Sequence, residues 1–251
     1  MSETKNLIKC EDSVILFQSI NKKYILYPNE SNNIFNILHK DIIGKEFNTK
    51  YKSIFLLKPN PASFIETVKR QTQILFEADI SLIIFMLHIK PGFSVLETGS
   101  GSGVLTTFLS KTVGKNGTVH TFERNAERFN ALKTKFQVQN LFNVKIRNCD
   151  IHTEENIPDN LDAIFLDIPD PQLIVGKCFE LLKQYGKICV FVPSCDQVIK
   201  VKNELKQCFY DIKMFENLKR MYGRSKSNIH SIIPLKDQYS HTGFLIFAEK
   251  K

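Results

Sequence analysis

Residues 94–103 read SVLETGSGSG and place a short strand pattern directly before a glycine-rich turn. Residues 104–113 then carry apolar side chains at helical spacing, so the turn joins a strand to a helix. Glycines at such a junction let the backbone approach a ligand at the carboxyl edge of a parallel sheet. The stretch therefore predicts a nucleotide-like ligand at this turn.

The spacing within this turn argues against a dinucleotide. The dinucleotide fingerprint G-x-G-x-x-G needs a sixth-position glycine, which falls at residue 104 if the pattern starts at Gly99, and the chain has Val104 there. The pattern is instead acid-x-G-x-G-x-G, beginning at Glu97. It resembles motif I of the class I methyltransferases and departs from a pyrophosphate-binding turn.

Strand and helix patterns alternate from residue 93 to residue 248. Such alternation predicts a parallel sheet with helices on both of its faces. We predict an α/β, Rossmann-like class I methyltransferase domain with a seven-stranded, mostly parallel sheet. Its predicted strands are 94–97, 118–122, 144–147, 163–166, 187–192, 211–215 and 243–248, and its predicted helices are 104–113, 125–138, 172–184 and 195–207.

The first 65 residues show a different pattern. Short apolar runs at 13–17 and 23–27, followed by the polar, Asn-rich segment 28–33, predict a small β-rich unit. Residues 63–87 carry apolar side chains at helical spacing, with a break near Asp79. We predict a small β-rich N-terminal domain over 1–65, for RNA or partner contacts, and the Rossmann-like domain over 66–251.

Acidic residues follow the second and third predicted strands. Glu123 comes 20 residues after Gly103, where a carboxylate can accept hydrogen bonds from both hydroxyls of a ribose. Asp150 ends the third strand segment and can accept a hydrogen bond from an adenine amino group, with Ile151 as an apolar flank to the ring. Each acid alone could equally cap a helix or line a loop. Together with the glycine turn they predict an adenosine-like ligand.

Residues 165–172 read FLDIPDPQ and end the fourth predicted strand. Two prolines stiffen the loop after Asp167, which we expect to point into the site beside a transferable methyl group. This segment resembles the motif F-L-D-L-P-x-P-W of the tRNA (adenine-58-N1)-methyltransferase catalytic subunits. The resemblance extends in the family's order to further segments, namely residues 39–45, 70–76, 79–81, 121–123, Arg128 and 193–198.

The resemblance implies an enzyme that uses S-adenosyl-L-methionine, releases S-adenosyl-L-homocysteine and needs no metal. It implies that Gln73 and Leu75 cover the cofactor, and that Asp167 is the catalytic residue and faces both cofactor and adenine. It also implies which residues bind the cofactor. With Gln73 and Leu75, these are Gly99, Ser100, Gly101, Ser102, Gly103, Val104, Glu123, Arg128, Asp150, Ile151 and Asp167.

Two positions depart from the family pattern. Gln172 stands where the family has Trp, and residues 61–64, PASF, lack the usual Trp before the Gln73 segment. These departures weaken the argument that the substrate base stacks at the edge of the Asp167 motif. An aromatic neighbour of Asp167 is therefore expected from another part of the chain.

The resemblance implies methyl transfer to N1 of adenosine-58 in the T-loop of tRNA, giving 1-methyladenosine. Two alternatives stay open. The chain can be a small-molecule methyltransferase of the same fold, because the cofactor half of the domain does not report the substrate, or a non-catalytic subunit of a tRNA methyltransferase complex. The intact Gly99, Gly101, Gly103, Glu123 and Asp167 favour a catalytic chain.

The resemblance further implies a tetramer. Eukaryotic members pair two catalytic with two related non-catalytic subunits, and bacterial and archaeal members use four identical chains. The eukaryote-like motif at 165–171 favours the mixed assembly and, by the same analogy, a nuclear location. The homotetramer stays the alternative.

Charge favours a polyanionic partner. Lys and Arg number 34 against 26 Asp and Glu, for a net charge of +8, and cations displace counterions from phosphates. We expect RNA contacts from residues 219–226, KRMYGRSK, where Tyr222 adds a ring for stacking. Further basic residues can follow phosphates or simply form solvated helix faces, namely Arg124, Arg128, Lys133, Lys135, Lys200, Lys202 and Lys206.

Cysteine and histidine spacing shows no metal-binding pattern. The six cysteines include no CxxC pair, and the histidines form no HExxH motif. The N-terminal residues lack the apolar core of a signal peptide, and nowhere do 18 uninterrupted apolar residues occur. These features predict a soluble, intracellular protein with reduced thiols and no membrane contact.

Overall fold

The computed structural model describes residues 6–19, 21–68, 72, 74–224, 231–234 and 241–251. Its first part is an antiparallel sheet in the spatial order β2-β1-β6-β5, beside a two-stranded β3-β4 ribbon. Val14, Leu16 and Leu56 are fully buried between these strands. The strands are β1 (Val14–Ser19), β2 (Lys22–Leu26), β3 (Ser31–Asn32), β4 (Ile37–Leu38), β5 (Thr49–Tyr51) and β6 (Ile54–Leu57). The prediction of a small β-rich N-terminal region is confirmed.

Two helices, α1 (Pro61–Thr67) and α2 (Glu77–Met86), follow this sheet. Asn60 caps α1, because its side chain accepts a 2.9 Å hydrogen bond from the backbone N–H of Ser63. The break predicted near Asp79 is confirmed, because α1 ends at Thr67, α2 begins at Glu77, and the described residues between them, 68, 72 and 74–76, are not helical. Asp79 itself lies in the first turn of α2, and its carboxylate accepts a 2.8 Å hydrogen bond from the Asn217 side chain.

The second part is a seven-stranded sheet in the spatial order β12-β15-β11-β10-β7-β8-β9. The five strands from β11 to β9 in this order pair in parallel, whereas β15 is antiparallel to both β11 and β12. The predicted mostly parallel, Rossmann-like sheet is therefore confirmed. The strands are β7 (Ser94–Thr98), β8 (Thr118–Phe122), β9 (Val144–Arg147), β10 (Leu161–Leu166), β11 (Leu182–Val192), β12 (Phe209–Phe215) and β15 (Phe244–Lys250).

The remaining elements connect these strands. The helices are α3 (Val104–Val113), α4 (Ala126–Val138), α5 (Val175–Leu181) and α6 (Cys195–Cys208), with short 3-10 turns at His39–Asp41 and Pro171–Ile174. A hairpin of β13 (Tyr222–Arg224) and β14 (Ile232–Pro234) lies within the segment between β12 and β15. Residues 219–224 of the predicted RNA-contact loop are thus partly strand, and its last two residues lie outside the described ranges.

The predicted helix over 172–184 was wrong at both ends. Its first residues form the 3-10 turn, and α5 ends at Leu181. Leu182 has an extended backbone and pairs with Leu161 at the start of β11. Helical spacing alone could not place this end, because Leu181 and Leu182 are adjacent apolar residues that both fit the helical pattern.

Burial alternates along the central strands. Val95 and Phe165 pack on one face of the sheet, while Leu96 and Leu166 pack on the other, and all four are at most 1% exposed. Helices cover both faces, as parallel sheets require. The carboxyl ends of the parallel strands therefore open at a single edge. Across the described residues, no helix has the length and apolarity needed to cross a membrane.

The N-terminal sheet is joined to the second part by side-chain hydrogen bonds. The Gln139 side chain donates a 2.9 Å hydrogen bond to the hydroxyl of Tyr27, and Lys23 forms a 2.5 Å ion pair with Glu66. Burial raises the pKa of Tyr27 to about 12, so this hydroxyl stays protonated. Gln139 is the C-cap of α4, and Leu132 and Lys135 in the second half of that helix contact the glycine turn.

Candidate active site

A cavity of about 410 Å³ opens at the carboxyl ends of β7, β8, β10 and β11. Cavities of roughly 300–1,000 Å³ are typical of small-molecule sites. Eight of the predicted site residues line it: Leu75, Gly99, Gly101, Glu123, Arg128, Asp150, Ile151 and Asp167. The other lining residues are Thr72, Ile74, Thr98, Phe122, Arg124, Cys149, His152, Ile168, Pro169, Phe191, Pro193 and Thr242.

The other predicted residues of the glycine turn lie beside this cavity. Ser100, Ser102 and Val104 line a small adjoining cavity that shares Gly99, Gly101 and Asp167 with the larger one. Gly103 lies at the start of α3, where the Thr107 hydroxyl donates a 2.7 Å hydrogen bond to its carbonyl. Gln73 lies outside the described residues.

The glycine turn is in close contact with the loop after β10. Gly99 has a φ of +85°, and a Cβ atom at this residue would lie 2.0 Å from the carbonyl oxygen of Asp167. Gly103, with a φ of +69°, leaves no room either, because a Cβ atom would lie 2.7 Å from Leu132. These positions need glycine for both conformation and space.

Glu123 follows β8 directly and is only 3% exposed. Its Oε1 accepts hydrogen bonds from the Arg128 guanidinium at 2.8 Å and from the Asn125 backbone N–H at 2.9 Å. Its Oε2 accepts a longer bond, 3.2 Å, from the backbone N–H of Gly101. Arg128 therefore orients Glu123, and Oε2 keeps room to accept a hydrogen bond from a ligand hydroxyl.

Asp150 lies in the loop three residues beyond the last residue of β9, not at the end of the strand as predicted. The difference arises because residues 150–153 form a turn, in which the Thr153 N–H donates to the Asp150 carbonyl. Asp150 Oδ1 accepts hydrogen bonds from the backbone N–H and the Nδ1 of His152, which hold the carboxyl pKa below its usual value. The carboxylate is thus anionic and lines the cavity beside the buried Ile151.

Asp167 follows β10 and lines both cavities. Its backbone N–H donates a 3.0 Å hydrogen bond to the carbonyl of Thr98, which fixes the loop against β7. Burial raises the pKa of its carboxyl group to about 6. Among the described residues, no hydrogen bond or ion pair engages this carboxylate. It is therefore ionised above about pH 6 and available to a ligand.

Glu97 is a residue of this site to which the sequence pattern assigned no separate role. It is fully buried, and its Oε2 accepts hydrogen bonds from the hydroxyls of Thr106 at 2.5 Å and Thr121 at 2.7 Å. The Ser100 hydroxyl lies 2.6 Å from that of Thr121, so this network supports the glycine turn from below. Burial raises the pKa of Glu97 to about 7. The sequence signal that could have identified Glu97 was its position as the acidic first residue of the acid-x-G-x-G-x-G pattern.

Because Glu97 is buried, we predict that the effect of Glu97→Gln on the free energy of unfolding depends on pH. Because the folded-state pKa lies above the usual 4.5, ionisation of Glu97 destabilises the native state as the pH rises from about 4.5 to 7. The unfolding free energy of the variant, relative to wild type, should therefore rise by up to roughly 3 kcal/mol between about pH 5 and pH 8. Urea unfolding at both pH values measures this. Glu127→Gln on the exposed surface of α4 is the control, and a difference for Glu97→Gln that does not change with pH would contradict the expectation.

Phe191 is the aromatic neighbour of Asp167 that was expected from another part of the chain because Gln172 replaces the family's Trp. It lies on β11, on the opposite side of Asp167 from Glu123. The Phe191 ring lines the cavity, together with Pro193 and Thr242. Gly243 backs this ring so closely that a Cβ atom there would lie 2.3 Å from it. The Gln172 side chain instead donates a 3.1 Å hydrogen bond to Asp170, outside the cavity lining.

One predicted phosphate contact has a structural role instead. Lys135 donates a 2.7 Å hydrogen bond to the carbonyl of Ser102, and burial lowers its pKa to about 8. It therefore holds the glycine turn. Arg124 lines the cavity and is exposed, which leaves it free to contact a bound polyanion.

A seven-stranded sheet of this order, with a glycine turn after β7 and acidic residues after β8 and β10, defines a class I methyltransferase. Solved structures share the fold over almost the whole chain. An S-adenosylmethionine-dependent O-methyltransferase from Thermotoga maritima is 27% identical, with a TM-score of 0.82 over 98% of this chain and 95% of that one. The tRNA (m1A58) methyltransferase TrmI from Aquifex aeolicus is 26% identical, with a TM-score of 0.80 over 98% and 99%.

Sequence comparison narrows the class to one family. The family model described as tRNA methyltransferase complex GCD14 subunit matches residues 52–233. A tRNA (adenine(58)-N(1))-methyltransferase catalytic subunit from Dictyostelium discoideum is 30% identical over 240 residues, covering 88% of this chain and 77% of that protein. The chain spans about half the length of fungal relatives, 45% and 48% for two of them. It belongs to the tRNA methyltransferase complex GCD14 subunit family.

Proposed function

We propose that this chain is the catalytic subunit of a tRNA methyltransferase that forms 1-methyladenosine at adenosine-58 of the T-loop. The observation that carries the proposal is the Asp167 carboxylate. It lies in one cavity with the glycine turn, Glu123 and Asp150, and the described residues leave it without a hydrogen bond or ion pair. The names of the Dictyostelium discoideum and Aquifex aeolicus proteins support the same reaction.

The residues around the glycine turn fit S-adenosylmethionine. Glu123 has acceptor capacity left on Oε2 for ribose hydroxyls, and Asp150 offers an anionic oxygen to an adenine amino group. Ile151 and Leu75 are buried apolar residues that can flank the rest of the ligand. When bound, this cofactor supplies an electrophilic methyl group. Gln73 and the residues of 99–104 complete the proposed binding set.

Asp167 supplies the charge that the acceptor base requires. Methylation at N1 leaves adenine with a positive charge, and a nearby carboxylate stabilises that charge as it develops. The same carboxylate can accept a hydrogen bond from the N6 amino group and so orient N1 toward the methyl group. The loop that carries Asp167 is fixed by the Thr98 carbonyl and by the contact with Gly99. The proposal therefore gives Asp167 an orienting and an electrostatic role.

Phe191 provides the apolar surface for the acceptor base. Its ring lines the cavity beside Asp167 and Pro193, on the side away from Glu123 and Asp150. An aromatic ring there can pack against a base that leaves its stack, as base-modifying enzymes require. The surrounding apolar side chains also exclude water from the reacting atoms.

The rest of the chain offers contacts for the remainder of the tRNA. The net charge of +8 favours a polyanion, and Arg124 stands exposed at the cavity. Tyr222 is 55% exposed on β13 and can stack on an unpaired base. We divide the chain into an N-terminal domain, residues 1–65, and a methyltransferase domain, residues 66–251. A separate buried core within the N-terminal part supports this division.

A related non-catalytic subunit is the proposed protein partner, in a tetramer of two chains of each kind, with a homotetramer as the alternative. The family description of a complex subunit supports an assembly. Ile232, 72% exposed, and Ile233, 44% exposed, offer apolar surface on the β13–β14 hairpin for a protein contact. The resemblance to eukaryotic catalytic subunits also favours a nuclear location, which fluorescence microscopy of the tagged protein tests.

Methyl transfer from radiolabelled S-adenosylmethionine tests the proposed substrate. Purified protein, alone and co-expressed with the related subunit of its own source, is given an unmodified tRNA transcript or its adenine-to-guanine variant at position 58. Label is expected on the first transcript and not on the second. Equal labelling of both transcripts, or label transferred only to a small acceptor molecule, would overturn the proposal.

A further inference from the structure

His241 lies between two oxygen atoms on the acceptor side of the site. Its Nδ1 is 2.6 Å from Oε1 of Glu216, which follows β12 directly, and its Nε2 is 3.1 Å from the backbone carbonyl oxygen of Pro193, which follows β11 directly. The ring also packs on Phe244 at the start of β15, with 5.0 Å between ring centroids. One side chain thus joins the ends of three strands.

The chemistry of these two contacts specifies the charge of the ring. A carboxylate oxygen and a carbonyl oxygen are both acceptors, and neither can donate a hydrogen bond. A neutral imidazole has one N–H and one lone pair, so it can satisfy only one of these oxygens. The doubly protonated imidazolium satisfies both. The observed geometry is therefore the geometry of the charged form.

The joined segments form one wall of the cavity. Pro193 and Thr242, the neighbour of His241, both line it on the side of Phe191. A second contact reinforces the wall from α2: Asp79 Oδ1 accepts a 2.8 Å hydrogen bond from Asn217 and lies 3.5 Å from the Thr242 hydroxyl. The wall is thus held by the contacts of His241 and by the contact of Thr242 with Asp79. Of the His241 and Thr242 side chains, only the imidazole of His241 can lose a proton near neutral pH.

We propose that protonated His241 is a positioning residue for methyl transfer, because it holds Pro193 and Thr242 in place against the acceptor base. The inference rests on the proposed function and adds a pH dependence to it. Loss of the ring proton breaks one of the two hydrogen bonds and releases one edge of the wall. Binding of the cofactor on the opposite side of Asp167 does not depend on this wall.

The surrounding charges favour the imidazolium. The hydrogen bonds to Glu216 and to the Pro193 carbonyl raise the pKa of His241 above its usual value, and the negative charge of Glu216 acts in the same direction. From α2, the Asp79 carboxylate contacts the adjoining Thr242. Since the folded-state pKa is raised, the wall is intact at low pH and loosens as the pH rises through that pKa.

Methylation rates between about pH 6.5 and pH 9 test the proposal, since this interval spans the loss of the proton from a histidine whose pKa is raised. The tetrameric complex and tRNA transcript are used with saturating S-adenosylmethionine. For wild type, kcat/KM for tRNA should fall by roughly tenfold or more across the interval, since misplacing the reacting groups by about 1 Å can cost about 100-fold. His241→Gln should be low and flat across the interval. Glu216→Gln should move the fall toward lower pH.

Two further measurements separate this role from general destabilisation. The ring-proton NMR signal of His241 is assigned as the signal that is absent from the spectrum of His241→Gln. This signal should titrate at a lower pH in Glu216→Gln than in wild type. Calorimetry should give cofactor affinity within about twofold of wild type for both variants, since energetic effects below roughly 0.4 kcal/mol mark an intact site. His88→Asn is the matched control, because His88 is exposed at another cavity, lined by Lys187 and Glu249, and should keep the wild-type pH profile.

The results distinguish the inference from the proposed function. An active wild-type enzyme whose pH profile survives in His241→Gln would overturn the role of His241 and leave the proposed function standing. A wild-type complex that methylates no tRNA at any pH would overturn the proposed function itself. A fall in activity that moves with Glu216→Gln, at unchanged cofactor affinity, supports both.

Discussion

Asp167→Asn should lower the turnover number for tRNA methylation by about 100- to 1,000-fold, the scale of loss when one preorganised charge-stabilising group is removed. Asparagine keeps the shape and one acceptor oxygen but carries no charge against the cationic product. Cofactor affinity should change far less, because Glu123 and Asp150 provide separate contacts. Single-turnover kinetics with preformed enzyme–cofactor complex, together with calorimetry, measure both quantities.

The pH profile gives Asp167→Asn a second readout. Burial raises the pKa of Asp167 to about 6, so the wild-type rate should rise with pH through that value as the carboxylate ionises. The variant should lose this acidic limb. Asp170→Asn is the matched control, because Asp170 is exposed on the same loop and its left-handed backbone, with a φ of +50°, suits asparagine. Turnover near wild type in Asp167→Asn would contradict the assigned role.

Gly99→Ala should abolish measurable cofactor binding or weaken it by at least about tenfold, a loss of roughly 1.4 kcal/mol or more. The new Cβ atom would lie 2.0 Å from the Asp167 carbonyl oxygen, so the glycine turn and the Asp167 loop must move apart. Both loops line the same cavity, and the displacement would separate the cofactor contacts from the catalytic carboxylate. Calorimetric titration with S-adenosylmethionine measures the loss.

Gly92→Ala separates this clash from backbone strain. Gly92 has a φ of +89°, almost the same as Gly99, but a Cβ atom there meets nothing within 4 Å. Both variants should lose about 1–2 kcal/mol of stability from the left-handed conformation, whereas only Gly99→Ala should lose cofactor affinity. Equal affinities in the two variants would show that the close contact is not what holds the site together.

The fold and much of the cavity could be predicted because they follow from local patterns. Strand and helix periodicity gave the seven strands, and the carboxyl ends of parallel strands must meet at one edge, which brought Glu123, Asp150 and Asp167 together. The error over 172–184 has the same origin. Leu181 and Leu182 are both apolar and fit helical spacing, so the pattern does not reveal that α5 ends at the first and β11 begins at the second.

Contacts between distant segments could not be predicted in this way. The ion pair of His241 with Glu216 joins residues 25 apart, and the contact of Gly99 with Asp167 joins two loops whose separation depends on the sheet. The sequence pattern shows Phe191 only as one apolar residue of a strand, and its position at the cavity, across from Glu123, is known from the structure. In the sequence, Lys135 cannot be distinguished from a surface lysine. Its role in holding the glycine turn follows only from its hydrogen bond to the Ser102 carbonyl.

The identity and position of the methylated nucleoside test the central claim most directly. Unmodified tRNA transcript is incubated with the protein, its co-expressed subunit and S-adenosylmethionine carrying a deuterated methyl group, and the digested RNA is analysed by mass spectrometry. The account predicts deuterated 1-methyladenosine, mapped to position 58 by arrest of reverse transcription, and formation of this product about 100- to 1,000-fold more slowly with Asp167→Asn. Label in another nucleoside, at another position, or undiminished in Asp167→Asn would contradict it.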